Sequence, residues 1–324
     1  VAICEEIVNL TSDEHAQPRA RQQREVVMLT VCSLNAERGG RKGFLDYIRA
    51  LGEHKRPDVI CLQEVHRSFD PGLPREVVLE DRPNPTPIRP HLYQELCEAL
   101  PGYTSWFAPQ IVGRYHDVCQ RDVNVAYGQA MFVRENKRCM VIAQASEVIY
   151  RGFNEQNDEA EVSEGRWIGA PCAKSAQVAT IHTGTAGLVV ANVHGAWSAR
   201  GKVDIPARLE QNQGLASMLA WQRVNVGCRT DKVLLLGDLN YVTGMQALEN
   251  LRCMSVFGPN GSGVNLNHRF DVKETRTKFY PSDKQHREAD FAIASATLTP
   301  CVKKVYLDME APSDHAAYFV EIDL

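Results

Sequence analysis

The sequence predicts an α/β protein with a large antiparallel share. Three observations carry that expectation. Early in the chain, Val-rich runs that are apolar on both faces alternate with a run of helical periodicity, the pattern of strands buried in a sheet with a helix between them. From YGQAMFVR onward, strand-like runs follow one another with only turn-prone stretches between them, which suggests antiparallel pairing. Several of these runs end in polar side chains, and strand ends are where α/β folds place ligand sites.

Taken in order, residues 1–24 are polar, end in PRARQQR and read as a weakly ordered lead-in with a short helix at its start. VVMLTVCSLN (26–35) is the first buried strand. A break at Gly39-Gly40 precedes FLDYIRALGEH, whose apolar residues recur at helical spacing. Pro57 and Asp58 lead into VICLQEV, the second buried strand. Residues 67–90 hold six prolines and many charges and read as a long surface loop. HLYQELCEAL is a helix that stops at Pro101-Gly102. Strands follow at YGQAMFVR, CMVIAQASEVIY, SAQVATIHT and GLVVANVHG, with a polar, acidic loop at 150–166. ARLEQNQGLASMLAWQRV (207–224) is an amphipathic helix, and KVLLLGDLN is a third buried strand with a polar tip. Residues 255–288 read as a mobile segment, ahead of the strands ADFAIAS, CVKKVYLD and AAYFVEIDL. No repeat or composition break divides the chain, so residues 25–324 form one catalytic domain in this reading.

Composition narrows the classes. The 324 residues are 44% hydrophobic and 23% charged, ordinary for a globular protein and ample for a large core. A net charge of −4 disfavours binding to nucleic acid by bulk charge, although a local basic groove is compatible with it. None of the ten cysteines forms a C-x-x-C pair, and several sit in apolar runs, so they read as free thiols in a reducing compartment. No run is long enough to span a membrane and no signal-peptide pattern opens the chain, which makes a cytoplasmic location the expectation. Nothing in the sequence fixes an oligomeric state.

The polar strand ends are Asn35, then Gln63-Glu64, then His194, then Asp238 and Asn240 in GDLN. Asp290 follows inside READFAIAS, and Ser313-Asp314-His315 precedes the last strand. Each alone is most often a turn or cap residue. The specific signal is their order: N, QE, H, GD-x-N, D-F, SDH. That order resembles the DNase I-like endonuclease/exonuclease/phosphatase superfamily, which includes DNase I, apurinic-site endonucleases, neutral sphingomyelinases, inositol polyphosphate 5-phosphatases and deadenylases. The resemblance covers roughly residues 25–324 and is strongest to uncharacterised bacterial members. It implies a four-layer sandwich, with two packed mixed β-sheets flanked by helices and the site at one edge of the sheets.

It also implies a Mg²⁺-dependent phosphoester hydrolase. A hard cation bound by carboxylate and amide oxygens neutralises phosphoryl charge, and Mn²⁺ suits the same oxygen ligands. By position, Glu64 is the metal ligand, with Asn35 and Asp314 as helpers. His315 is the candidate general base, with Asp290 holding its tautomer. Asp238 shares that candidacy, and the sequence does not choose between them. Asn240 and His194 can donate to phosphoryl oxygens. Apurinic-site enzymes carry a Tyr about three residues before the position of His194; Ala191 stands there, which argues against a close relationship to that branch.

Weaker features surround this set. Arg276, in TRTKFY, is a candidate phosphate ligand, since guanidinium matches phosphate oxygens. HGAWSARGKVDIPARLEQ resembles the same bacterial members, which implies that Trp197, Arg200 and Lys202 sit close to the site rim, where Trp197 can stack on a base or pack a loop. Arg19, Arg21 and Arg24 make a short basic tail that could touch nucleic acid. The expected substrate is a phosphodiester, in nucleic acid first, with a small-molecule or lipid phosphoester as the alternative. A binding protein that kept the fold and lost the chemistry should lack a site residue, and every one is present. A zinc hydrolase needs closely spaced ligands, and the ten histidines show no H-x-x-x-H pattern.

Overall fold

The computed structural model describes residues 28–78, 87–117, 122–136, 139–151, 173–184, 186–198, 201–225, 230–259 and 261–324. The lead-in 1–24 with Arg19, Arg21 and Arg24, nearly all of the acidic stretch 150–166, Arg200, and Cys4, Cys119, Cys172 and Cys228 lie outside them.

The strands are β1 (Met28–Asn35), β2 (Val59–Ser68), β3 (Thr104–His116), β4 (Asp122–Val133), β5 (Met140–Tyr150) and β6 (Lys174–His182). They continue with β7 (Gly187–His194), β8 (Val233–Asp238), β9 (Val264–Asn265), β10 (Asp290–Ala294), β11 (Val302–Asp308) and β12 (Ala317–Asp323). Among the helices, α1 is Phe44–Ala50, α2 Leu92–Ala99, α3 Pro206–Asn225, α4 Gln246–Arg252 and α5 Leu266–Arg269. Each long helix buries one face: Leu92, Leu96 and Ala99 in α2, and Leu215, Met218 and Leu219 in α3. Pro206 opens α3, where its missing N–H costs nothing.

The strands form two six-stranded sheets, ordered β11-β12-β1-β2-β4-β3 and β5-β6-β7-β8-β10-β9. The two share one plan. Each has a single parallel pair at its centre, β1 with β2 and β7 with β8, and both parallel pairs are joined through a helix. Antiparallel partners flank both pairs. The sheets face each other across an apolar layer that includes Val31, Cys61, Val190, Leu234, Leu236, Ala292 and Val320. Outside the first sheet, Cys32, Leu34, Ile60, Leu62 and Phe132 pack against α1 and α2 through Phe44, Ile48, Leu92 and Leu96. Outside the second, Val189, Leu235 and Ile293 pack against α3 and α4 through Leu215, Leu219, Leu248 and Leu251. These are the four layers the resemblance implies. Because both faces of the central strands are covered, runs such as VLLLGD are buried throughout, and each buried Leu or Val contributes about 1.5–3 kcal/mol.

Three elements differ from expectation. Strand β3 went unread because Pro109 and Gly113 interrupt its pattern. It lies at a sheet edge, and its register shifts between Pro109 and Ile111, so the missing N–H is tolerated there. Strand β2 does not stop at Gln63-Glu64 but runs on to Ser68 past a bulge between Leu62 and Val65. The segment 255–288 carries α5 and β9, and Thr275, Arg276 and Thr277 within it are buried, so this stretch is pinned and not a loose loop. The six described cysteines are free thiols, with Cys32, Cys61 and Cys139 buried. Among the described residues, no helix is long and apolar enough to cross a membrane.

Candidate active site

Side chains alternate faces along a strand, so the layer between the sheets is lined by every second residue. On β1 that series is Leu29, Val31, Ser33, Asn35; on β7 it is Leu188, Val190, Asn192, His194; on β8 it is Leu234, Leu236, Asp238. On β10 it runs Ala294, Ala292, Asp290. Read toward one end of the sandwich, the layer changes from hydrocarbon to amides to ionisable groups. The amide tier joins the sheets: Gln63 Nε2 donates to Asn192 Oδ1 at 2.7 Å and Ser33 Oγ at 3.1 Å, and Asn192 Nδ2 donates to Gln177 Oε1 at 3.0 Å. Gln63, Asn192 and Gln177 are fully buried, and these bonds pair the polar atoms of the tier except Gln63 Oε1, which has no partner among the described residues. Above the tier stand Asn35, His194, Asp238 and Asp290, all buried.

Glu64 would face the outer layer by alternation. The bulge in β2 and a left-handed backbone at Glu64 (φ 57°) turn it toward the tips instead. Asn35 Nδ2 donates to Glu64 Oε1 at 3.2 Å and to Asp238 Oδ2 at 3.0 Å. His194 Nε2 lies 3.8 Å from both of those carboxylates. Burial, reinforced by the positive charge of Lys174, lowers the His194 pKa to about 4 against the attraction of Asp238 and Glu64. It is therefore neutral, and its buried Nδ1 has no hydrogen-bond partner.

The second half of the site centres on His315. Its Nδ1 bonds Asp290, 2.8 Å from Oδ2 and 3.0 Å from Oδ1. Its Nε2 is 3.5 Å from Asp238 Oδ2 and 3.6 Å from Asp314 Oδ1, and Arg276 Nη1 rests against it. Burial and Arg276 push the His315 pKa down, but Asp290, Asp314 and Asp238 together outweigh them and raise it to about 9. For Asp238, burial favours the neutral acid, yet His315, His194, Lys202 and Arg276 overcome it and hold the carboxyl well below the usual range. Asp314 does not join Asn35 and Glu64 in any hydrogen bond; its Oδ2 pairs with Arg276 at 2.7 Å.

Backbone closeness sets these tips. A Cβ at Gly237 (φ 144°) would lie 2.0 Å from Val193 O, so the residue before Asp238 must be Gly. Ser313 ties the SDH turn to β1, donating to Asn35 O at 2.6 Å and accepting from His315 N at 3.1 Å.

The sequence profile of the Endonuclease/Exonuclease/phosphatase family matches residues 31–315. The chain belongs to this family. An endonuclease/exonuclease/phosphatase family protein from Bacteroides thetaiotaomicron is similar in structure, at 16% identity and TM-score 0.58, covering 93% of this chain and 96% of that one. A mannosyl-6-phosphatase from Bacteroides thetaiotaomicron VPI-5482 is similar at 16% identity and TM-score 0.57, covering 91% and 99%. Truncated TDP2 from Caenorhabditis elegans is similar at 17% identity and TM-score 0.53, covering 92% and 98%. At these identities the likeness is one of fold. No protein with a curated function matches the sequence.

The donor set fits the divalent cation usual in this endonuclease/exonuclease/phosphatase family. Glu64 and Asp238 converge on one amide beside a neutral imidazole. Among the described residues, Arg38 Nε lies 3.8 Å from Glu64 Oε2. The Glu64 and Asp238 carboxylate oxygens are the hard donors a divalent cation takes.

Several supporting residues were not singled out in the sequence. Arg208 is fully buried and donates to Ala196 O, Val203 O and Asn240 O, lacing the β7 and β8 tips to α3. Gln211 Oε1 accepts from Ala196 N at 2.7 Å. Lys202, expected at the rim, donates from Nζ to Asn240 Oδ1 at 3.0 Å, and burial lowers its pKa to about 8. Tyr127 packs edge-on to His194, its ring centroid 6.2 Å away, with the Arg38 guanidinium 5.9 Å from its own centroid. Trp197 is 45% exposed. The signal for Arg208 was present in ARLEQ, as an Arg on the inner face of a helix that follows a site histidine.

Proposed function

We propose that the chain is a Mg²⁺-dependent hydrolase of phosphoester bonds, a phosphodiesterase acting first on nucleic acid. The observation that carries this reading is the buried Asp290–His315 pair with Asp238 at 3.5 Å, opposite a neutral His194. Glu64 would hold the metal, with the Asn35 amide beside it, and the ion when bound would neutralise charge on the phosphoryl oxygens. Asp238 stays ionised and accepts from Asn35 Nδ2 and from Asn240 N, so it can orient a water along one of its lone pairs. Asp290 fixes the His315 ring through Nδ1, and Nε2 is left beside Asp238 and Arg276 Nη1, so His315 and Asp238 are the two groups that can take the water's proton. His194 can donate one N–H to a phosphoryl oxygen, and the Asn240 amide, held by Lys202, can donate another.

Mn²⁺ would substitute for Mg²⁺ on this donor set. A second reading is a small phosphomonoester. Arg38, Lys202 and Arg276 surround the tips and supply the charge a dianionic phosphate needs, and one structural relative is a mannosyl-6-phosphatase.

The test is turnover of plasmid DNA, single-stranded oligonucleotides, bis-p-nitrophenyl phosphate, a sugar 6-phosphate, sphingomyelin and an inositol polyphosphate. Each is run with Mg²⁺, with Mn²⁺ and with EDTA, for the wild type, Glu64→Ala and His315→Ala. Metal-dependent turnover lost in both variants supports the reading, and the best substrate names its branch. Turnover that survives EDTA and both substitutions would overturn it.

A further inference from the structure

Asp238, Asp290 and His315 each offer a ligand atom, and these atoms lie within 4.8 Å of one another. By spacing alone, that cluster could hold a cation. A cation already stands there. Arg276 Nη1 rests against His315 Nε2, and it pairs with Asp314 Oδ2 at 2.7 Å. The guanidinium stacks over Tyr280, 4.4 Å from the ring centroid, and the side chain is only 7% exposed.

Its backbone is held as firmly. Residues 276 and 315 form an antiparallel bridge. Thr277 N donates to Asp314 O at 3.1 Å, and Ala316 N donates to Thr275 O at 2.8 Å. Thr275 Oγ1 accepts from Ala289 N and Asp290 N, and Arg287 donates to the carbonyls of residues 276 and 277. One short segment is thus stitched to the SDH turn on one side and to β10 on the other. This is a built position for a positive charge, and a surface arginine swinging in would not be anchored so.

We infer that Arg276 is the resident cation of the Asp238–Asp290–Asp314–His315 cluster, so that the site takes one divalent ion, at Asn35 and Glu64, and not two. The inference rests on the metal-dependent reading above and deepens it. A fixed guanidinium neutralises the cluster without the desolvation a second hydrated ion requires, and it repels that ion at close range.

Manganese stoichiometry tests this without any substrate. Electron paramagnetic resonance of free Mn²⁺ and isothermal titration calorimetry count ions per chain. The expected result is one ion for the wild type, one for Arg276→Lys, two for Arg276→Met, and none for Glu64→Ala. The Glu64→Ala/Arg276→Met double variant should regain one, held by the cluster. Two ions in the wild type, or one in a folded Arg276→Met, would overturn the inference while leaving metal-dependent hydrolysis standing. No ion in the wild type would remove the metal-dependent reading itself. Arg276→Gln, which keeps part of the stem over Tyr280 and removes the charge, carries the same comparison if Arg276→Met does not fold.

Discussion

The two sheets follow the same strand plan, yet they deliver different chemistry to the same edge. The first sheet brings Asn35 and Glu64 at the tips of its parallel pair, and its strand β12 is preceded by Asp314 and His315. The second brings His194 and Asp238 at the tips of the equivalent pair, Asn240 just beyond, and Asp290 on β10. Each principal contact crosses between them: Asn35 to Asp238, His194 to Glu64, and His315 to Asp290. The two histidines show what that crossing does. His194 meets burial and Lys174 of its own sheet and is lowered to about 4, whereas His315, against burial and Arg276, meets Asp290 and Asp238 of the other sheet with Asp314 of its own and is raised to about 9. A repeated topology fixes where strand tips lie; burial and the charged neighbours at each tip decide what each side chain does there.

The sharpest way to break that comparison is at the crossing contacts. Glu64→Ala and His315→Ala should each lower kcat/KM by about 10²–10⁴-fold on the best phosphodiester of the panel. A sheet that supplied only scaffold would tolerate its own substitution, so an active variant on either side would end the division of labour.

The next effect is in pH. The fold keeps His194 neutral below its ordinary value of 6.5, so stability is lost as pH falls from 6.5 toward 4, by roughly 3 kcal/mol when complete. His315 has the opposite sign. Its contribution is full below 6.5 and is lost as pH rises through 9, again by roughly 3 kcal/mol. Thermal melting of EDTA-treated protein across this range should therefore peak near pH 6.5. His194→Gln should flatten the acid limb alone, and His315→Gln the alkaline limb alone. A limb that survives its own substitution would show that other groups set it.

The amide tier offers a smaller effect that separates holding the sheets together from catalysis. Asn192→Leu removes partners from Gln63, Gln177 and two backbone carbonyls and should cost about 1–3 kcal/mol in urea unfolding. Activity per folded molecule should change far less than in Glu64→Ala. The least effect is expected at Trp197→Ala, within about 0.5 kcal/mol of wild-type stability, because the ring is exposed. A larger loss would mean that it packs after all.

Much of this was legible in the chain. Buried strands are recorded in long apolar runs because both faces of β1, β2, β7 and β8 are covered, and the order of N, QE, H, GD-x-N, D-F and SDH carries the family. Other parts were hidden for physical reasons. Strand β3 carries Pro109 at a bulge, and an edge strand keeps no clean alternation. The segment 255–288 has no apolar period; its order comes from hydrogen bonds to the SDH turn and to β10, which leave no pattern in sequence. The QE pair reads as one polar tip, but Gln63 points into the core and Glu64 out to the site, because a single bulge separates them.

What the sequence determined by itself is the inventory: which strands are buried, which polar groups end them, and that they occur in the order of this family. Their charge states and their partners were decided only when two distant strand ends met across one gap. Residues 35 and 238, or 290 and 315, become neighbours only in the packed sandwich, and electrostatic energy depends on that distance and on burial, neither of which is written along the chain.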